Sequence, residues 1–291
     1  MTGILLSLGH GYSAQELARR LLPQGWRVIG TARRPEALAA LAAGGVEPVL
    51  WPGTPLGPAL ARATHLLTSI PPQAAGGDPV LAAEAEAILA ARQLAWAGYL
   101  STTGVYGDHG GGWVDETTPC APTSPRAAAR LDAENAWAAL SRAADLPLAI
   151  FRLAGIYGPG RSPFDRLRAG TAQAVVKPGQ VFSRIHVEDI AAAVAASMNR
   201  PPQGMAIYNL ADDTPAPPQD VLWHAADLAG LPRPPAVAYA EAELSPMARS
   251  FYADSKRVRN DRIKRDLGLH LAYPDYRAGL AAILAAEGRE R

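Results

Sequence analysis

Apolar and polar positions along the chain follow two alternating patterns. Short apolar runs, beginning with Ile4-Leu5-Leu6, are separated by longer Ala- and Leu-rich stretches whose apolar residues recur at helical spacing. Through the first half this is the pattern of βαβ units that feed a parallel sheet. It predicts strands over 4–8, 27–30, 46–50, 65–69, 98–101 and 148–152, and helices over 13–22, 35–42, 78–93 and 124–143. The last helix is alanine-rich and so of high intrinsic propensity. Six strands suit a doubly wound sheet, and the expected fold class is α/β of the Rossmann type.

Beyond Gly155 the pattern loosens. Gly158-Pro159-Gly160, Lys177-Pro178-Gly179 and a Pro-rich stretch over 215–218 break it into turns. A helix over 187–198 and a strand over 206–210 nevertheless stand out, which implies that the chain returns to the main sheet. The expected organisation is a nucleotide-binding Rossmann domain over 1–155, with 185–212 returning to it. Segments 156–184 and 213–291 then form a smaller, discontinuous substrate-binding domain.

The first βα crossing carries Gly9-His10-Gly11-Tyr12-Ser13-Ala14, directly between an apolar strand and an amphipathic helix with Leu17, Leu21 and Leu22 on its inner side. A G-x-G-x-x-A string is common by chance, but in this position each residue has a physical task. Gly9 permits the tight turn, Gly11 lets a pyrophosphate approach the backbone, and Ala14 lets helix and strand pack closely. The first amides of the helix, at Tyr12 and Ser13, face the diphosphate. The second strand runs into Arg33-Arg34, where a site selective for NAD would carry a carboxylate for the adenosine ribose. Two guanidiniums there suit a 2′-phosphate, so the expected cofactor is NADP(H) rather than NAD(H). The alternative is two solvated arginines before a helix that starts at Pro35.

Composition narrows the function classes. The chain has 291 residues, 48% of them hydrophobic, yet no apolar run approaches the roughly 20 residues of a membrane span. The first strand starts at Ile4 without a basic leader, so a cleavable signal would remove it; a cytoplasmic location is expected. The formal net charge of +1 argues against nonspecific nucleic-acid binding. Cys120 is the single cysteine, and the six histidines show no paired ligand spacing, so neither a disulfide nor a metal site is expected. A basic run from Lys256 and Arg257 through Arg259 and Arg262 to Lys264 and Arg265 reads as a solvated helix face interleaved with Asp261 and Asp266.

Four further stretches carry a family resemblance. Tyr99-Leu100-Ser101-Thr102-Thr103-Gly104-Val105-Tyr106-Gly107, then the run from Arg152 through Tyr157 to Arg161, then Arg184-Ile185-His186-Val187-Glu188-Asp189, and finally Tyr208-Asn209-Leu210-Ala211-Asp212 resemble, in order, motifs of the extended short-chain dehydrogenase/reductases. The resemblance implies carbonyl or alcohol chemistry with a tyrosine, a lysine four residues later and an upstream hydroxyl, here Thr102. It also implies a place beside the cofactor for Ser69. The helix after Ser124 departs from the pattern, because Arg126 stands at the tyrosine position and Arg130 at the lysine position. Arginine stays protonated, so Arg126 cannot exchange a proton as a phenol does. Arg130 can still bind ribose hydroxyls, and Arg126 can clamp an anionic substrate.

That departure resembles the atypical branch of the superfamily, in which Asp78 matches an acidic position otherwise held by a catalytic Asn. Asp78 before Pro79 is equally a helix cap. Tyr106, Asp108 and His109 are candidates for the missing proton donor. Tyr157 reads as structural and His186 as a backbone partner at a helix start. Arg161 and Arg184 fall where extended members contact anionic substrates. Two functions remain open: an NADP(H)-dependent oxidoreductase or epimerase/dehydratase-like enzyme on a small molecule, an anionic one among the options, and a catalytically inactive NADP(H)-sensing or partner-binding protein. The resemblance also leaves open a homodimer through the helices that begin at Asp78 and Ser124.

Overall fold

The computed structural model describes residues 2–73 and 76–289; Met1 and the last two residues of the 213–291 segment lie outside them. The first half forms β1 (Ile4–Leu8), α1 (Tyr12–Leu21), β2 (Arg27–Ala32), α2 (Glu36–Ala43), β3 (Glu47–Leu50), α3 (Gly57–Leu60), β4 (His65–Thr68), α4 (Pro79–Ala90), β5 (Trp96–Thr102), β6 (Trp113–Val114), α5 (Pro125–Ala144) and β7 (Leu148–Leu153). After these come β8 (Gly155–Tyr157), α6 (Phe164–Arg168), β9 (Ala174–Val176), β10 (Arg184–His186), α7 (Val187–Asn199) and β11 (Met205–Leu210). The chain ends through α8 (Pro218–Leu228), β12 (Ala236–Ala238), α9 (Pro246–Phe251), β13 (Arg257–Val258), α10 (Asp261–Leu267) and α11 (Tyr276–Arg289).

Seven strands pair in the order β11-β7-β5-β4-β1-β2-β3, every neighbour parallel. The chain therefore does return to the main sheet: β11 adds a seventh strand along β7. Successive side chains of a strand face opposite sides, and each side has its own core. Leu5, Trp96 and Phe151 pack with α1 and α7 through Leu17, Leu21, Ile190 and Val194. Leu6, Tyr99 and Ile150 pack with α3, α4 and α5 through Leu60, Val80, Ile88 and Trp137. A third cluster, with Phe164, Ala225, Tyr276 and Leu280, holds α6, α8 and α11 together away from the sheet.

Local chemistry sets the element ends. Ser124 Oγ accepts from Ala127 N at 3.2 Å and Pro125 occupies the first turn of α5. Asp78 Oδ1 accepts from Val80 N and Leu81 N at 2.9 and 3.0 Å at the head of α4. The helix expected over 78–93 stops at Ala90, because Ala91 leaves the helical region with ψ 68°. The basic run after Lys256 is not one helix face. Arg257 N and Arg259 N donate to Gly112 O and Val114 O at 2.8 and 2.9 Å, which makes β13 a partner of β6. Only α10 is helical, with Arg262 and Asp266 paired at 3.1 Å.

One ion pair crosses the sheet interior. Arg152 on β7 and Glu134 on α5 are 4% and 3% exposed. Arg152 Nη2 donates to Glu134 Oε2 at 2.7 Å, and Ser101 Oγ on β5 donates to Oε1 at 2.5 Å. Breaking such a pair strands a buried charge. Glu134→Ala is expected to lower unfolding free energy by about 3–5 kcal/mol in urea titration, well beyond an exposed control such as Glu36→Ala; equal losses in the two variants would show that the pair has no such weight.

Candidate functional site

All strands of a parallel sheet end at one edge, and the turn after β1 lies there. Gly9 has φ +75°, and a Cβ on it would sit 2.7 Å from Ile70 Cγ1, so both backbone and space require glycine. Its N–H donates to Thr31 Oγ1 at 2.8 Å, and its carbonyl accepts from Ser69 Oγ. Gly11 differs. Its φ is an ordinary −92°, and a Cβ there would meet nothing nearer than Gly9 O at 3.9 Å. The fold itself does not need glycine at 11, and the space above it is open. Buried Ala14 packs beneath, and the amides of Tyr12, Ser13 and Ala14 donate to no group among the described residues. Three free N–H groups at the positive end of a helix dipole form an anion cradle.

Neighbouring residues frame this turn. Tyr12 OH donates to Pro159 O at 2.9 Å, and the Arg161 guanidinium lies 5.9 Å from the Tyr12 ring centroid. Arg161 thus stands by the turn rather than in the cavity described next. Arg33 and Arg34 are exposed where β2 ends. Arg34 is 3.5 Å from Glu36, whereas Arg33 has no partner among the described residues.

A cavity of about 450 Å³ opens at the ends of β5 and β7. Thr102, Thr103 and Ala154 form its floor, and Arg126, Arg130, Arg184 and Lys256 give it positive charge. Thr102 Oγ1 accepts from Gly104 N at 3.1 Å as it caps the short turn Thr103–Tyr106, which leaves its hydroxyl proton to donate elsewhere. Arg130 Nη1 donates to Leu100 O at 2.9 Å and Tyr99 OH at 3.1 Å. Exposed Arg126 has no partner among the described residues. Arg184 Nη1 reaches only carbonyls, Phe182 O and Ala216 O, at 2.9 and 3.1 Å, and burial pulls its pKa down.

The structure separates several other predicted residues from this cavity. Tyr106 is fully buried, with its OH donating to Asn209 Oδ1 at 2.8 Å and Arg152 4.8 Å from its ring centroid. Burial pushes its phenol up to about 12. His109 Nε2 lies 3.2 Å from Tyr106 O, outside the cavity lining. Asp108 Oδ1 accepts from Ser255 N and Gly110 N at 2.7 and 3.2 Å. Asp78 is committed to capping α4 and to Trp137 Nε1 at 3.0 Å. Tyr157, by contrast, does line the cavity, but its OH donates to Asp275 O at 3.2 Å, and burial holds it protonated. His186 Nδ1 accepts from Glu188 N at 3.3 Å at the head of α7.

Asp254, Lys256, Phe182 and Phe251 also line the cavity and come from segments that carry no motif. Their only sequence signal is a lysine, one of three in the chain, within an arginine-rich run.

Fold and site together define a Rossmann-type α/β protein with a positively charged cavity at the carboxyl edge of its sheet. Comparison with known proteins agrees. The model of the NAD-dependent epimerase/dehydratase family matches residues 85–211. Protein YeeZ of Escherichia coli (strain K12) is 28% identical over 281 residues, covering 92% of this chain and 95% of YeeZ. The structure of a conserved protein of unknown function from Silicibacter pomeroyi DSS is 58% identical, with a TM-score of 0.91 over 98% of this chain and 99% of that one. MoeE5 in complex with UDP-glucuronic acid and NAD shares the fold at 21% identity, with a TM-score of 0.78 over 99% of this chain and 100% of MoeE5. Residues 85–211 therefore carry the likeness to the NAD-dependent epimerase/dehydratase family, and the chain as a whole shares its fold with these neighbours. Among the described residues no helix is long and apolar enough to cross a membrane.

Asp212, at the end of β11, offers a pH test. It is 1% exposed, Oδ1 accepts from Thr214 N at 3.2 Å, and Oδ2 has no partner among the described residues. Burial pushes its carboxyl up to about 7 despite the nearby Arg184. The folded state therefore holds a proton that the unfolded state has released between about pH 4 and 7, so this group removes stability as pH rises through that window. Asp212→Asn is expected to flatten the fall in unfolding free energy between pH 5 and 8 by about 2–4 kcal/mol; parallel pH profiles for the two proteins would contradict it.

Proposed function

We propose that this protein is an NADP(H)-dependent oxidoreductase or epimerase/dehydratase-like enzyme acting on a small anionic molecule in the cavity between the sheet edge and the smaller lobe. One observation carries the reading. Gly11, a glycine the fold does not need, stands at the head of a helix with three unsatisfied amides, on the edge where the cavity opens. Such a cradle suits the pyrophosphate of a dinucleotide, and MoeE5, which shares the fold, is described with NAD. Unpaired Arg33 and neighbouring Arg34 suit a 2′-phosphate and favour NADP(H). In this reading Arg130 binds ribose hydroxyls, Thr102 a substrate oxygen, and Arg126, Arg161 and Arg184 substrate or phosphate charge. A bound nicotinamide would supply or accept a hydride. The segments 156–184 and 213–289 act in this reading as the substrate-binding part, and the setting is the cytoplasm.

A second reading, an NADP(H) sensor without catalysis, is favoured by the replacement of the family's proton-exchanging pair with Arg126 and Arg130. The two readings share the cofactor and part on turnover: tight NADPH binding with no change in nicotinamide absorbance across a broad carbonyl and sugar-nucleotide panel would select the sensor.

Gly11→Val tests the cradle. The side chain is expected to leave the melting temperature within about 2 °C, because it fills open space at an ordinary φ, while abolishing NADPH binding in a fluorescence titration. Gly9→Val is expected to damage both. Undiminished binding by folded Gly11→Val would remove the reading. Arg33→Ala is expected to weaken NADPH about 10–100-fold and NADH hardly at all; equal wild-type affinity for the two nucleotides would remove the NADP(H) preference.

A further inference from the structure

The geometry points to Lys256 as the catalytic residue that exchanges the substrate's proton in place of the absent tyrosine, an inference that rests on the oxidoreductase reading above. The substrate class is a carbonyl or alcohol bearing an anionic group. Proton exchange needs a titratable group in the cavity, and few are present. Arg126, Arg130 and Arg184 do not release protons. Tyr157 is committed to Asp275 O, and burial raises it further. Ser183 Oγ accepts from Val258 N at 3.0 Å, and Ser124 Oγ caps α5. Among the described residues that leaves Lys256 with Asp254.

Lys256 is also held firmly. Its side chain is 10% exposed, and Nζ donates to Gly107 O at 2.6 Å and lies 3.4 Å from Asp254 Oδ2. Asp254 Oδ1 accepts from Thr123 Oγ1 at 2.6 Å, three residues before Arg126. Gly107 follows the turn that Thr102 caps. The ammonium group is therefore tied on both sides to the two segments that carry the hydroxyl and the vacant tyrosine position. The flanking backbone is pinned as well, because Ser255 O accepts from His109 N and Gly111 N at 3.1 and 2.9 Å.

The surroundings of the amine make its proton easier to release than an exposed lysine's. Burial lowers the Lys256 pKa, and Asp254 and Asp108 offset this only in part. The cavity arginines 126, 130 and 184 bring no negative charge to hold its proton. Lysine is rare here, three of 28 basic residues, and unlike arginine it can become a neutral base. In the reducing direction one N–H bond of Lys256 breaks as an O–H bond forms on the substrate oxygen. The carbonyl carbon gains a hydride from the reduced nicotinamide nucleotide, which is oxidised, and solvent returns a proton to the amine. Oxidation of an alcohol runs the same transfers in reverse.

Because the chain has only Lys177, Lys256 and Lys264, reductive methylation with isotope-labelled formaldehyde gives a resolvable set of NMR signals, assigned by elimination in Lys177→Arg and Lys264→Arg proteins. Each signal is titrated with pH for the protein alone, with NADP⁺ and with NADPH, and nucleotide binding is followed in the same samples. The Lys256 signal is expected to titrate below the ordinary lysine range. It should lose its proton more readily with NADP⁺ than with NADPH, by about tenfold in its proton equilibrium, because only the oxidised ring carries positive charge. A lysine too far from the ring to exchange a proton with the reacting oxygen would sense that charge only weakly. If both nucleotides bind and the Lys256 titration is the same with each, the proton-exchange role is overturned while the cofactor reading stands. If neither nucleotide binds, the cofactor reading falls and this inference with it.

Discussion

The ion pair between Glu134 and Arg152 decides where the candidate site faces. Residues 126, 130 and 134 are spaced by four, so they lie along one face of α5. Glu134 is gripped by Arg152 from β7 and by Ser101 from β5, which fixes the rotation of the helix about its axis. With that rotation set, Arg130 meets the end of β5 at Leu100 O, and Arg126, one turn earlier, reaches the cavity mouth. Burying two charges costs several kcal/mol of desolvation for each ion. A hydrophobic pair of similar volume would pack there without fixing the same angle.

The same polar network explains which sequence signals could be read and which could not. Parallel strands and their helices carry periodic apolar residues, and β1 to α1 follows from that pattern together with the Gly9 to Ala14 turn. Tyr106 illustrates the limit. Four residues from Thr102 in the chain, it is carried inward by the short turn Thr103–Tyr106 and stacked under Arg152. Proximity along a loop does not give proximity in space. Asp78 allowed two accounts in sequence, and the structure displays the cap and the Trp137 contact.

Lys256 and Asp254 were illegible for a different reason. Their place depends on β13 pairing with β6, a ladder of two residues per strand. So short a ladder has no period, and an arginine-rich flank resembles a solvated helix. What holds it is largely side chain to backbone: Asp108 Oδ1 takes the Ser255 amide, and Gln180 Nε2 donates to Asp254 O at 2.7 Å. Segments separated by more than a hundred residues meet there, and no local propensity announces such contacts.

In the proposed reading, binding and chemistry rest on different parts of the chain. The anion cradle at Gly11 is built within the first βα unit, from residues a few positions apart, and needs only the parallel sheet to exist. The charged cavity needs α5, the β7 to β10 region and the strap over 254–258 to assemble together. Replacing a phenol by Arg126 removes one titratable group from the sheet side of that cavity. It leaves the lobe side, where Lys256 is held by Gly107 O and Asp254, as the side from which a proton can move. In that reading the segments that pack over the sheet edge supply the cavity's acid–base group as well as part of its wall.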